Sequence, residues 1–312
     1  MLELEGLNVF RGPAQVLRNL SLTVGDRESV CLVGRNGAGK TTTIDGIMGL
    51  LPVRSGRVTL AGRDITTLPT HRRALAGIGY SPEDAGIFPD LTVAENFRIS
   101  QSLARSAGKG GAVLAGNGID ERVLRLFPEI GDFTGRRGLF LSGGQKKRVF
   151  LARALAQEGE LILLDEPFTG VDVKTETAIV ELMRALKAQG HVMLVSTHNL
   201  GSVPDFCDEV VLLNRTVLAA GPTATTFTQA NLERAFGGVL RHFRLSGDAL
   251  HDDDDSRSVT VLTDDERPVA VDLFAGAGVL KSRPECNGRI AAVGGKLTPS
   301  SMREREGRGG AL

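Results

Sequence analysis

The sequence predicts an α/β fold, and three stretches carry that prediction, each a buried strand running into polar residues. Ser29 to Val33 runs apolar into Gly34-Arg35-Asn36-Gly37-Ala38-Gly39-Lys40-Thr41, after which a helical pattern extends from Thr42 to Leu51. Leu161 to Leu164 is a continuous apolar run ending in Asp165 and Glu166, and His191 to Ser196 is another, ending at Thr197-His198. Continuous apolar runs of this length fit strands covered on both faces. Open α/β sheets bind ligands at the carboxyl ends of such strands.

The remaining elements follow in order. Leu2 to Asn8 and Leu20 to Val24 alternate as strands do, with Gly12-Pro13 turning between them. Arg57 to Leu60 and Gly77 to Ser81 are further strands. Thr92 to Leu103 is a helix capped by Thr92, with Glu95 placed for a capping box. Ser106 to Gly118 is a Gly/Ala-rich connection, and Ile119 to Phe127 is helical again, so residues from about 82 to 139 form a mostly helical insertion. Ser142 stands at a helix N-cap, and Gly143 and Gly144 leave backbone amides bare, which makes an anion site. The helix from Gln145 to Ala156 sets Lys146, Lys147, Arg148 and Arg153 on one side and Val149, Leu151, Ala152 and Leu155 on the other. Lys174 to Gln189 is an amphipathic helix ended by Gly190, and Glu209 to Leu213 pairs with Val217 to Ala220 as a hairpin. Beyond Phe243 the pattern fails. His251 to Asp255 is a charge run, Ser258 to Leu262 is at most one strand, and residues 276–312 are Gly/Arg-rich, so 244–312 is expected to be a poorly ordered tail.

Composition narrows the classes. The chain has 312 residues, 41% of them hydrophobic, enough for an ordinary core, and a formal net charge of +0 that favours neither nucleic acid nor an anionic membrane. Cys31, Cys207 and Cys286 are far apart and read as reduced thiols rather than a disulfide framework or a metal site. No apolar run reaches the roughly 18 residues of a membrane span, so a membrane role must come through a partner.

The glycine loop is G-x-x-x-x-G-K-T between a strand and a helix, the context that gives this motif its meaning. Glycines let backbone amides wrap a β-phosphate, Lys40 places a charge on the β- and γ-phosphates, and the Thr41 hydroxyl can ligate Mg²⁺. Glu166 follows a metal-binding Asp165, so it can face a phosphate without being consumed by the metal. Phosphoryl transfer needs that division of labour: charge neutralisation and a positioned water.

Together, Gly34 to Thr41, Leu141 to Gln145, Leu161 to Glu166 and His198 resemble the ATP-binding cassette of ABC transporters over about residues 1–243. The resemblance implies a P-loop NTPase core with an antiparallel β subdomain and a helical signature-motif subdomain. It implies ATP and Mg²⁺ as cofactors. Gly34, Arg35, Asn36, Gly37, Ala38, Gly39, Lys40, Thr41 and Thr42 would hold ATP, with Phe10 or Arg11 offering a flat face to adenine. Asp165 would support Mg²⁺ through water, Glu166 would polarise the attacking water, and His198 would reach the γ-phosphate. Ser142, Gly143, Gly144 and Gln145 look like the signature turn that closes on a partner's ATP, and Asp172 like the dimer-contact loop. The family usually carries Gln after Tyr80 to sense the metal and the permease; Glu83 stands there, as in the branched-chain amino-acid branch.

The implied partners are a second ATPase subunit (a homo- or heterodimer), transmembrane permease subunits and, indirectly, a solute-binding protein, at the cytoplasmic face of the inner membrane. Residues 1–140 resemble branched-chain amino-acid importer ATPases, and residues 142–271 resemble manganese/iron importer ATPases. The docking residues near Glu83 lie in the first part, which favours branched-chain amino acids as cargo, with manganese or iron as the alternative. The His251 to Asp255 run reads as a solvated linker, with a metal-sensing site as its alternative. A soluble ABC-type ATPase acting on nucleic acid is a remoter reading; one cassette, no sustained heptads and no basic arm oppose it, and no nucleic-acid partner is expected.

Overall fold

The computed structural model describes residues 1–83, 86–106, 108, 119–157 and 159–237, and the backbone of three further strands. β1 (Leu2–Arg11) and β2 (Ala14–Val24) form an antiparallel hairpin, longer than the sequence pattern suggests because irregular register at Leu4/Leu7, Leu7/Val9 and Val9/Phe10 breaks the strict alternation. β3 (Ser29–Val33) leads through the glycine loop to α1 (Lys40–Met48), which ends at Gly49 in the left-handed conformation, φ +71°. β4 (Val53–Leu60) and β5 (Arg63–Asp64) complete a four-stranded sheet in the order β2-β1-β4-β5.

α2 (Thr70–Leu75) and β6 (Ile78–Ser81) precede a helical stretch of α3 (Val93–Ser106), α4 (Glu121–Leu126) and 3₁₀ turns at Pro128–Phe133 and Gly138–Phe140. The expected capping box at Thr92 forms, with the Glu95 carboxylate accepting from the Thr92 N–H at 2.8 Å. α5 (Gly143–Leu155), β7 (Leu161–Asp165), α6 (Val173–Ala188) and β8 (Val192–Thr197) follow. α7 (Val203–Phe206), β9 (Glu209–Leu213), β10 (Val217–Pro222), α8 (Thr223–Thr226) and α9 (Gln229–Phe236) end this part of the chain. The second sheet has six strands in the order β10-β9-β3-β8-β7-β6, parallel except for the β9–β10 hairpin.

The unbroken apolar runs have a physical reason. Successive residues of a strand point to opposite faces, and both faces of this sheet are covered. Val30, Leu32, Leu161, Leu163, Val192 and Leu194 enter one core with β1, β2 and α1. Cys31, Val33, Ile162, Leu164, Met193 and Val195 enter the other, against α5, α6 and α9. Cys31 and Cys207 are accordingly free, buried thiols.

Three strands lie past residue 240: β11 (Arg241–Leu245), β12 (Val259–Thr263) and β13 (Val269–Asp272), an antiparallel sheet. This corrects the expectation that the pattern fails beyond Phe243 with at most one strand, at Ser258 to Leu262. Val-Thr-Val-Leu-Thr and Val-Ala-Val-Asp are rich in β-branched Val and Thr, which favour strands. The rest of the expected tail, Cys286, the His251 to Asp255 run and most of the 106–118 connection lie outside the described residues. Among the described residues no helix is long and apolar enough to cross a membrane.

One buried cation anchors the helix that follows the glycine loop. Arg73, 3% exposed, donates through Nη1 to the Gly46 and Ile47 carbonyls at 2.8 and 2.7 Å, through Nη2 to Thr66 at 2.6 Å and through Nε to Leu68 at 2.8 Å. Two of these are end-of-helix carbonyls of α1, where positive charge is favoured. Arg73→Met is expected to cost about 3 kcal/mol, because it strands buried acceptors, and to lower Tm by roughly 6–12 °C. A melt displaced by less than about 1 °C would refute the anchoring role.

Candidate functional site

Strand order assembles the site. β8 lies between β3 and β7, with Val33 beside Thr197 and Asp165 beside Ser196. The three polar loops therefore leave the same edge of the sheet as neighbours, as open α/β sheets require of a binding site.

The glycine loop is pressed against its surroundings. A Cβ on Gly34 would lie 2.4 Å from the Leu213 carbonyl oxygen, so no side chain fits there. Gly39 enters α1 at φ +103°, left-handed backbone that favours glycine. Lys40 is 5% exposed; its Nζ donates to the Gly34 carbonyl at 2.6 Å and pairs with Glu166 Oε1 at 3.0 Å.

Asp165 is buried at the end of β7. Its Oδ1 accepts from the Thr41 hydroxyl at 3.3 Å and from the Ser196 hydroxyl, while its Oδ2 is buried with no hydrogen-bond partner among the described residues. Burial pushes the Asp165 carboxyl up, against the hydrogen bonds from Ser196 and Thr41, and the Glu166 charge adds to the push. A buried carboxylate oxygen with nothing to bind, beside two hydroxyls, is an all-oxygen donor set of the kind Mg²⁺ takes together with its own water. The residues present thus fit that ion.

Glu166 follows with φ +46°, a conformation rare and costly for a non-glycine residue. Its N–H donates to the Ser196 carbonyl at 3.2 Å and hydroxyl oxygen at 3.0 Å, and its carbonyl accepts from Lys147 Nζ at 2.9 Å. The carboxylate lies between Lys40 and His198: Oε2 is 2.8 Å from His198 Nδ1 and accepts the His198 N–H at 3.3 Å. Burial pushes the Glu166 carboxyl up, but the His198 hydrogen bond and the Lys40 charge outweigh it and hold the group below its ordinary value. It therefore stands ionised at neutral pH.

Lys40, Thr41, Asp165, Glu166 and His198 thus meet in one place. Arg11 joins from β1, where its guanidinium donates to the Thr42 hydroxyl at 3.2 Å and pairs with Asp45 at 2.6 Å. Phe10 goes elsewhere: the Arg54 guanidinium covers its ring at 4.9 Å, so of the two flat faces Arg11 is the one beside α1. Glu83 is exposed, and what it brings inward is its backbone carbonyl, which Lys147 reaches at 3.2 Å.

The glycine turn at the head of α5 is exposed and satisfied locally. Gln145 N–H donates to Ser142 Oγ at 3.3 Å and Ser142 N–H to Gln145 Oε1 at 3.0 Å, a full capping box. Nothing lies within 4 Å of a Cβ built on Gly143, whereas Gly144 faces Thr175. Thr175 also links this helix to Asp172: Arg148 donates to its hydroxyl at 2.8 Å, and its N–H donates to the Asp172 carboxylate at 2.8 Å, capping α6. The turn and Asp172 are therefore tied to one another.

Two residues escape the sequence reading. Ser196 bridges Asp165 and the Glu166 amide; its signal is a lone hydroxyl closing the apolar run Val192–Val195. Lys147, grouped with Lys146, Arg148 and Arg153 on the side opposite Val149, Leu151, Ala152 and Leu155, is 4% exposed. It lies three, four and seven residues before Phe150, Leu151 and Ala154, all buried, so it belongs to the inward stripe.

Comparison with known proteins agrees with this geometry. The family model described as "ABC transporter" matches residues 17–169. The "Chelated iron transport system membrane protein YfeB" of Yersinia pestis is 50% identical over 260 residues, 80% of this chain and 82% of that protein. The "Manganese transport system ATP-binding protein MntA" of Synechocystis is 40% identical over 246 residues, 76% of this chain and 90% of that protein. Among solved structures, a dimeric post-hydrolysis ATP-binding cassette bound to ADP and Pi superposes with a TM-score of 0.62 at 25% identity, covering 71% of this chain and 98% of that one.

Proposed function

The chain belongs to the ABC transporter family as an ATPase subunit, and from that premise we propose that it powers import of a divalent metal, manganese or iron. The observation that carries the cargo is the 50% identity to an iron-system protein over 260 residues. An alignment that long cannot lie on one side of residue 141, so it spans both the part that resembles amino-acid importer ATPases and the part that resembles metal importer ATPases. This supports the metal alternative over the lean to branched-chain amino acids.

In the proposed mechanism Lys40 and the Gly34–Thr42 loop bind the phosphates and Arg11 faces the adenine side. Thr41 and Asp165 would hold Mg²⁺, which when bound would neutralise charge on the β- and γ-phosphates. Glu166 orients and polarises the attacking water, His198 holds Glu166 and meets the γ-phosphate, and the stripe of apolar strands beneath excludes solvent. Ser142, Gly143, Gly144 and Gln145 close on the ATP of a second subunit, with Asp172 at the same contact. Glu83 belongs to the loop that senses the permease. The assembly works at the cytoplasmic face of the membrane, with permease subunits and a solute-binding protein choosing the cargo.

The test is genetic and chemical. Deleting the chain from its native cell should lower Mn²⁺ or Fe²⁺ uptake several-fold, leave leucine uptake unchanged, and be reversed by the wild-type chain but not by Glu166→Gln. Loss of leucine uptake with metal uptake intact would return the cargo to amino acids.

A further inference from the structure

Glu166 must point its carboxylate at a water, yet its backbone sits at φ +46°, where a side-chain-bearing residue does not rest unaided. Something outside the residue holds it there. On the amide side the hold is β8: the Glu166 N–H donates to the carbonyl and hydroxyl of Ser196. On the carbonyl side it is Lys147, whose Nζ donates to Glu166 O at 2.9 Å in a buried setting. The two peptide groups flanking the strained Cα are thus each held by a hydrogen bond with a different element, and the direction of the side chain follows from them. Oε1 then meets Lys40 and Oε2 meets His198.

Lys147 holds more than Glu166. The same ammonium donates to the Glu83 carbonyl at 3.2 Å, and Lys147 itself sits in α5, five residues after the Ser142 cap. Burying an ammonium is expensive unless hydrogen bonds replace its water, so the side chain is confined to the place where these carbonyls converge. One cation therefore joins three bodies: the helix that carries the glycine turn, the loop at Glu83, and the turn that aims Glu166. A second cation reinforces the tie between helix and loop, since Arg153 near the end of α5 donates to the Gly86 carbonyl at 2.8 Å.

We propose that Lys147 is a positioning residue for ATP hydrolysis: its buried ammonium locks the Glu166 turn in the left-handed conformation and makes the aim of that carboxylate depend on the signature helix and the Glu83 loop. The inference rests on the reading of Glu166 as the residue that orients the water. It gives a displacement of either neighbour, by a partner's ATP or by a membrane subunit, a direct route to the reacting centre. Lysine suits the task because its ammonium has three donors and needs no fixed plane, so it can serve carbonyls from different segments.

The experiment compares full-length wild type, Lys147→Met, Lys147→Gln and Glu166→Gln for kcat, KM for ATP and Tm. Lys147→Met keeps the length and loses the donors; it should lower kcat about 10- to 100-fold, the range of a displaced catalytic group, with KM within about twofold. Lys147→Gln retains N–H donors on a shorter stem and should fall between Met and wild type in kcat, again with KM unchanged. A folded Met variant within twofold of wild-type kcat, a KM that rises in step with the loss, or a Gln variant no faster than Met would each overturn the role. Should Lys147→Met fail to fold, Lys147→Gln decides alone: a drop of threefold or more in kcat at constant KM supports it, and wild-type kcat overturns it. Glu166→Gln separates the premise from the inference. Wild-type turnover in that variant removes both, whereas an inactive Glu166→Gln beside a fast Lys147→Met removes the inference only.

Discussion

Lys40→Ala is expected to abolish ATP binding together with hydrolysis. The ammonium is 5% exposed and held by the Gly34 carbonyl at 2.6 Å, so it meets phosphate with little water to screen it. Its other neighbour makes the loss worse. Glu166 Oε1 lies 3.0 Å from Lys40 Nζ, and removing the cation leaves the Glu166 side chain facing the phosphates with one fewer positive charge between them. The variant thus subtracts an attraction that already acts in the ground state. A loss of at least about 100-fold in affinity, about 2.7 kcal/mol, is expected. Titration of the folded variant with ATP and Mg²⁺ measures it. Unchanged affinity with lost turnover would restrict Lys40 to the transition state and refute the ground-state argument.

What could be read from the sequence was local. The glycine loop, the Asp165-Glu166 pair and His198 each sit within a few residues of a strand whose apolar run is plain, so their chemistry and their position at strand ends were legible together. What brings them into one place, the order β3-β8-β7, depends on Ser29–Val33 pairing with the distant strand at Met193–Thr197 and leaves no mark in any short window. The choice between Phe10 and Arg11 likewise needed the structure, because irregular register in β1 breaks the alternation that would assign their faces. Lys147 was grouped with the other cations for another reason: it sits between Lys146 and Arg148, and its place on the inward stripe shows only when the i+3, i+4 and i+7 neighbours are checked. The lean to amino-acid cargo came from the loop around Glu83. Cassette residues are shaped by ATP and by the membrane subunit they touch, so a few loop residues carry little about the solute itself.

Glu166→Gln should bind ATP, fail to hydrolyse it and accumulate as an ATP-bound dimer. The substitution keeps the shape of the side chain and removes its charge. Because the carboxylate pairs with Lys40, the phosphates compete with it for the same ammonium; glutamine competes less, so ATP affinity should equal or exceed that of the wild type. Turnover should fall about 10²- to 10⁴-fold, the usual worth of a positioned general base. Dimerisation follows from what one chain lacks. Lys40, Thr41, Asp165, Glu166 and His198 would surround the phosphates from one side, while the chain's own Ser142 turn is capped on itself, tied to α6 through Thr175 and open beyond Gly143. Its free amides at a helix N-terminus are suited to a γ-phosphate presented by another molecule. Closure by that second turn would expel water from the open side and strengthen every charge interaction within. Two identical chains make such a contact reciprocally, burying two ATP molecules in an isologous interface. Sizing the variant with ATP and Mg²⁺ should therefore show dimer where ADP shows monomer. Wild-type specific activity should fall on dilution through the range where dimer becomes scarce. A variant that stays monomeric with ATP, together with a specific activity indifferent to dilution, would refute the two-chain site.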